Sequence, residues 1–235
     1  MARFYESKSG YLIKNEKINR IAVVVYCVIG LVILYVVFIN NFQHLFSLSG
    51  IIALAIVFGP FIGFAMYRIK KHEKEYNCFY RGRKGEGAIW YKLKELNDDY
   101  SIFQSLKIGD NLGNIDFAVV GPGGVYILEV KSHSGKIDFD GEKLTNNGKP
   151  FEKDFLKQAK GEALQIHDFI KENTGLDIYV KPVLIFSGYA SMRFGLKPVS
   201  NVYVIGKSFL EEFFNSENRI NFPKLKIEEI LREVV

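Results

Sequence analysis

The sequence predicts a mixed α/β domain carried behind two membrane-spanning helices. Three observations predict it. Two long uncharged apolar runs lie within the first 70 residues; two β-branched-rich segments flank the turn Gly121-Pro122-Gly123-Gly124; and an amphipathic helix precedes a continuously apolar strand further on. The elements run α-β-β-β-α-β-β-α-α after the apolar runs. An antiparallel meander followed by a crossover helix and another strand gives an α+β mixed sheet with helices on its faces.

The chain has 235 residues, 48% apolar and 24% charged, a composition outside the disordered class. Its formal charge of +5 is unevenly distributed: residues 1–77 hold 9 Lys+Arg against 4 Asp+Glu, and residues 78–235 hold 22 of each. The basic surplus is therefore no evidence for a nucleic-acid footprint on the downstream domain, where a local basic patch stays open. Cys27 and Cys78 are the only two cysteines and have no partner at metal or disulfide spacing, which excludes a zinc ribbon and fits a reducing compartment.

Ile21 to Ile39 is 19 residues without a charge, and Ile51 to Tyr67 is 17 more. Each is near the roughly 20 residues that cross a bilayer core, and Gly59, Pro60 and Gly63 are tolerated in such helices. Arg3, Lys8, Lys14, Lys17 and Arg20 precede the first run; Arg68, Lys70, Lys71 and Lys74 follow the second; the link between them has no Lys or Arg. Positive charge stays inside, so both termini are expected in the cytoplasm. No small-residue cleavage site follows the first run, which argues against a signal peptide. Residues 1–77 are thus expected to be an anchor in the inner (cytoplasmic) membrane, with its basic clusters at the lipid headgroups. Residues 78–235 form the cytoplasmic domain, and 68–84 a polar linker, helical at its start.

In that domain, Gly85 to Leu96 reads as a helix with Ile89, Leu93 and Leu96 on one stripe. Glu86 falls in its first turn, where an acid also complements the helix dipole. Tyr100 to Ile108 is a strand and 110–114 a turn. Residues 138–150 are polar loops with a short hairpin. Glu152 to Asn173 is a helix buried along Phe155, Ala159, Ala163, Ile166 and Ile170, bordered by Gln158 and Glu162 and stopped at Gly175. Tyr179 to Ser187 and Asn201 to Ile205 are strands. Lys207 to Asn215 and Lys224 to Val234 are helices.

The chemistry centres on the hairpin. With Gly121 to Gly124 as its loop, Val120 pairs with Val125 and Asp116 lies opposite Glu129. Opposed residues share a face with Cβ atoms about 4.5–5.5 Å apart, and Lys131, two residues on, shares it. A slip of one residue would separate the carboxylates. Two acids beside a lysine suit metal-assisted phosphodiester hydrolysis; a simply solvated polar face is the alternative. His133 and Ser134 follow the lysine, but neither a base orienter nor an oxyanion donor for a serine–histidine pair is visible. No phosphate-binding loop of the GxxxxGK[ST] type occurs.

These residues resemble the NERD, or nuclease-related, domain of the PD-(D/E)XK nuclease superfamily. The resemblance covers about residues 82 to 210 and rests on four pieces. They are Gly82-Arg83-Lys84-Gly85-Glu86, Asn114-Ile115-Asp116, Gly121-Pro122-Gly123-Gly124-Val125, and Glu129-Val130-Lys131 followed by Gly135-Lys136-Ile137. Gln158 stands where such domains often place a polar residue; Ile115 stands where the superfamily name has proline. The resemblance implies a restriction-endonuclease-like αβββαβ core and metal-dependent cleavage of nucleic acid, most often DNA. It implies that Asp116 and Glu129 bind Mg²⁺ (or Mn²⁺) with support from Glu86. Lys131 would orient the attacking water and stabilise developing charge, and Gln158 would position the water or a phosphate. The expected function is a membrane-anchored endonuclease. The alternatives are a catalytically inactive module that binds nucleic acid or a protein at the membrane, and a structural protein that recruits partners. Homo-oligomerisation is left open by the sequence.

Overall fold

The computed structural model describes residues 2–6, 48–108 and 114–235 and the isolated positions 25, 28, 32 and 35; over 48–61 it describes the backbone alone. The chain divides into two compact units, Gly10–Arg81 and the pair of segments Met1–Ser9 and Gly82–Val235.

In the first of these units, the expected span at 21–39 lies outside the described residues apart from Val25, Val28, Val32 and Tyr35, which are helical. The second apolar run, 51–67, falls on helix α1 (Leu48–Lys94). Among the described residues, no helix is long and apolar enough to cross a membrane. One expectation is corrected here. The second run, the linker and the helix leading into the domain were expected as three pieces, and they are one helix. After Pro60 the sequence offers no proline to end it, and each glycine at 82, 85 and 87 costs only about 1 kcal/mol relative to alanine. Neighbours one turn apart support the middle, such as Tyr76 and Tyr80, whose rings stack with centroids 6.4 Å apart.

The other unit is built on a seven-stranded mixed sheet. In chain order its strands are β1 (Arg3–Glu6), β2 (Ser101–Leu106), β3 (Ile115–Gly121), β4 (Gly124–Lys131), β8 (Val180–Phe186), β10 (Pro198–Val199) and β11 (Val202–Gly206). Across the sheet they lie in the order β1-β2-β3-β4-β8-β11-β10. The expected meander is β2-β3-β4, antiparallel throughout. The crossover helix α2 (Phe155–Thr174) then returns the chain to β8, parallel to β4. Residues 138–150, expected as polar loops with a short hairpin, supply that hairpin and most of a small second sheet, built from β5 (Gly135–Phe139), β6 (Leu144–Asn146), β7 (Lys149–Pro150) and β9 (Ala190–Ser191). The turn expected at 110–114 lies outside the described residues except for Asn114.

The central strands are apolar on both faces, and alternation assigns each face its own helices. Phe117, Val119, Tyr126 and Leu128 pack with Ile89 and Leu93 of α1 and with Phe213 and Phe214 of α3 (Leu210–Ser216). Ala118, Val120, Val125 and Ile127 pack with Ala163, Ile166 and Ile170 of α2 and with Ile227 and Leu231 of α4 (Lys224–Arg232). Helix α2 starts three residues later than expected because Asp154 caps it, accepting a hydrogen bond from the Lys157 amide at 2.9 Å. It ends, as expected, at Gly175, which takes φ 72° and returns its amide to the Lys171 carbonyl at 2.8 Å.

Strand β1 was not foreseen. Residues 1–20 read as a basic flank, yet Arg3–Glu6 pairs parallel with Ser101–Gln104 of β2. Phe4 meets Trp90 edge-on with ring centroids 5.6 Å apart, and Tyr5 stacks on Phe103 at 4.8 Å. Beside this edge Glu228 is 1% exposed. It accepts a hydrogen bond from the Ser101 hydroxyl at 2.7 Å and faces Arg3 at 3.7 Å and Lys224 at 3.4 Å.

The β3–β4 hairpin is tighter than expected: Gly121 pairs with Gly124, leaving Pro122-Gly123 as a two-residue loop. Gly124 takes φ 119°, a region open to glycine. At Gly121 the Tyr100 ring occupies the place of a Cβ. Tyr100 is itself buried and donates its hydroxyl proton to the Phe214 carbonyl at 3.2 Å, so it has little room to retreat. Gly121→Ala is therefore expected to destabilise the protein by about 1–3 kcal/mol, the usual range for overpacking. Denaturant unfolding of the full chain checks this.

Candidate active site

The hairpin register places the site. Phe117 pairs with Leu128 and Val120 with Val125, and continuing that register one step sets Asp116 opposite Glu129. The pair joins the α2 face of the sheet. The Val130 amide donates to Asp116 Oδ2 at 2.8 Å, tying the first carboxylate to the second strand. On its other side Asp116 adjoins Ser105 of β2, where the ladder is interrupted and Ser105 takes φ 58°. A non-glycine residue at positive φ stores strain of about 1–3 kcal/mol.

Glu129 is 4% exposed, and a carboxylate so deeply buried must be partnered. Its Oε1 pairs with the Lys131 ammonium and accepts a hydrogen bond from Gln158 Nε2 at 2.8 Å. Gln158 Nε2 also reaches Glu162 Oε1 at 2.8 Å, one turn further along α2. The second oxygen of Glu162, Oε2, is buried without a hydrogen-bond partner. Lys131 Nζ also lies 4.8 Å from the centre of the Phe155 ring, at the start of α2.

Glu86 reaches the cluster from α1. It was expected in the first turn of a helix, and it lies deep inside a longer one, so the helix-dipole explanation for it lapses. Gly85 beside it is buried, and Ser187 at the end of β8 occupies the space of its missing side chain. The absence of that side chain lets α1 approach the ends of β4 and β8.

The electrostatics follow from crowding. Burial first, then the Glu129 and Glu86 charges, push the Asp116 carboxyl well above its ordinary value against the opposing Val130 hydrogen bond. Glu86 is raised by burial and by Glu129, with Lys131 opposing. Glu162 is raised to about 8, again by burial and by Glu129. Four acids and one lysine thus share a confined volume with too little positive charge. All the donors are carboxylate oxygens, the type that suits Mg²⁺ or Mn²⁺.

Among the described residues, no group of three or more His, Cys, Asp or Glu side chains is arranged to hold a metal ion. A two-carboxylate arrangement suffices for Mg²⁺, which retains waters and binds through one or two carboxylates and substrate phosphates. Asp116 and Glu129 supply that number and type of donor.

The structure brings all five sequence-predicted residues together: Glu86, Asp116, Glu129, Lys131 and Gln158. It adds Glu162, whose signal in the sequence was its position four residues after Gln158 on the same border of the helix stripe.

The raised Glu162 value has a consequence for stability. A carboxyl whose folded value lies above its unfolded value holds more protons when folded, so stability falls as pH rises between the two. Glu162→Gln removes that penalty. Its thermal midpoint in the metal-free full chain is expected to match wild type near pH 4.5 and exceed it increasingly up to about pH 8, then level off. Melts at pH 5, 7 and 9 measure this.

Comparison with known proteins adds one match. Residues 81–187 match the family described as NERD, nuclease-related domain. That stretch ends short of the resemblance drawn from sequence but contains all six residues of the cluster. No curated protein and no solved structure matches. Residues 81–187 are therefore similar to a nuclease-related domain, and the mixed sheet covered on both faces fits an α+β nuclease-like core.

Proposed function

We propose that this chain is a membrane-anchored endonuclease that hydrolyses phosphodiester bonds of DNA with Mg²⁺ or Mn²⁺. The observation that carries the reading is the meeting of Asp116, Glu129 and Lys131 at one end of the β3–β4 hairpin, with Gln158 and Glu162 facing them from α2. The match of this stretch to a nuclease-related family supports it.

In this reading Asp116 and Glu129 hold the divalent cation, with Glu86 in support directly or through water. The cation supplies charge neutralisation and Lewis-acid activation at the scissile phosphate. Lys131 leaves its pairing with Glu129 to donate to a phosphate oxygen or to the attacking water. Its ammonium then stabilises the negative charge that builds as the new P–O bond forms and the old one breaks. Gln158 keeps Glu129 oriented through its amide hydrogen bond. Phe155 shields one side of Lys131 from water, which strengthens the lysine's electrostatic effect.

A second reading is favoured by one observation. Residues 78–235 carry 22 Lys+Arg and 22 Asp+Glu, whereas phosphate binding normally draws on a basic surplus. A non-catalytic module would bind nucleic acid with little response to metal and no turnover.

The test is cleavage of plasmid DNA by the full chain in detergent with Mg²⁺ or Mn²⁺. Asp116→Ala, Glu129→Ala and Lys131→Ala are each expected to slow cleavage at least about 100-fold, the scale of losing one preorganised electrostatic group. In metal titrations Asp116→Asn is expected to weaken binding. Activity that survives all three alanine variants removes the site, and binding without turnover by wild type favours the second reading.

The membrane anchor is supported by the two uncharged runs and by exposed apolar side chains on α1. Ile62, Phe64, Met66 and Tyr67 are 55%, 52%, 55% and 63% exposed. Such a surface is unfavourable in water and at ease in lipid. The charge pattern around the runs supports a cytoplasmic position for both termini and the domain, at the inner membrane. On alkaline carbonate washing the chain is expected to stay with the membrane pellet; release into the supernatant would contradict anchoring.

A further inference from the structure

Two exposed aromatic side chains stand on the loops that leave the candidate active site. His133, two residues beyond Lys131, is exposed. Its ring is set by Phe151 at 5.1 Å, edge-on, and by Phe155 at 5.5 Å, the same Phe155 ring over which Lys131 lies. Tyr189, just past the end of β8, is 96% exposed.

Its loop is nonetheless fixed. The Gly135 amide donates to the Tyr189 carbonyl at 2.9 Å, and the Tyr189 amide donates to the Ser134 hydroxyl at 3.1 Å. Gly188 packs so closely on the His133 backbone that no side chain fits there. A hydrogen-bonded backbone thus presents an uncovered aromatic ring on the loop bound to the one that leaves Lys131.

The charge balance says what such rings are for. With 22 basic and 22 acidic residues in 78–235, counterion release yields little affinity for a polyanion. Stacking of bases on aromatic rings needs no net charge and gives about 5- to 150-fold per base. Paired bases keep their faces stacked on one another, whereas unpaired bases offer theirs. We infer that His133 and Tyr189 form a stacking rim that receives unpaired bases next to the scissile phosphate, so that the site takes single-stranded nucleic acid. This rests on the nuclease reading for the position of the phosphate, but the stacking itself needs no catalysis.

Binding, read without cleavage, tests it. The full chain in detergent and EDTA is mixed with fluorescein-labelled oligo-dT, oligo-rU or a DNA duplex of equal length, and anisotropy is followed across a salt series. Wild type is expected to prefer a single strand over the duplex, and the dT and rU arms tell deoxyribose from ribose. Tyr189→Ala is expected to weaken single-strand binding about 5- to 100-fold, leave duplex binding within about 2-fold and leave the salt slope unchanged, because no phosphate contact is lost. Tyr189→Phe and His133→Phe, which keep an aromatic face, are expected to bind like wild type, while His133→Ala weakens binding. The inference is overturned if wild type binds no single strand, if Tyr189→Ala leaves that binding intact, or if the loss is equal on duplex. Cleavage by wild type with Mg²⁺ or Mn²⁺, measured separately, distinguishes the two ideas. A stacking effect in a wild-type chain that cleaves neither single strand nor duplex sinks the nuclease reading and leaves the rim standing.

Discussion

The site depends on the register between β3 and β4. A shift of one residue would send Asp116 and Glu129 to opposite faces of the sheet, and Lys131 would follow Glu129 away from Asp116. Several features hold that register. The two-residue turn leaves no slack, Gly121 is clamped against the Tyr100 ring, and alternate residues are committed to two different cores. Slippage would expose or cross both cores at once, so the packing of apolar side chains fixes where the charged ones meet.

Glu129 shows how a sheet can carry a buried charge. Its carboxylate is nearly sealed, and its stability rests on a lysine from its own strand and a glutamine from the crossover helix. Losing either partner leaves an uncompensated charge in a poorly solvated place, the expensive situation for an ion pair. The surrounding acids remain short of positive charge, which is why burial and mutual repulsion raise Asp116, Glu86 and Glu162 together. Such a cluster is held in place by the fold, and its repulsion is relieved by protons or by a cation.

Much of this was legible in the residues. Two β-branched-rich runs and a glycine-rich turn gave the hairpin and its pairing. The 3.6-residue stripe gave α2, and the apolar run at Val183 to Phe186 gave β8. These succeed because burial imposes a period on the sequence. The misses have physical causes too. Strand β1 is four residues long, too short for alternation to announce it, and its pairing is supplied by β2 far along the chain. The unbroken α1 runs through a change from apolar to charged composition, which reads as a boundary although composition alone does not end a helix. Glu162 was visible as a border residue, but its role depends on Glu129 being brought beneath it by tertiary packing.

The first strand has a practical consequence. Arg3–Glu6 supplies the outermost rung beside β2 and precedes the unit 10–81, while the rest of the sheet follows that unit. A fragment trimmed to begin after residue 81 would leave the amide and carbonyl groups of β2 bare along one side. Bare edges recruit strands from neighbouring molecules, so such a fragment invites self-association along β2. Grafting the first few residues back through a short linker would restore the missing border.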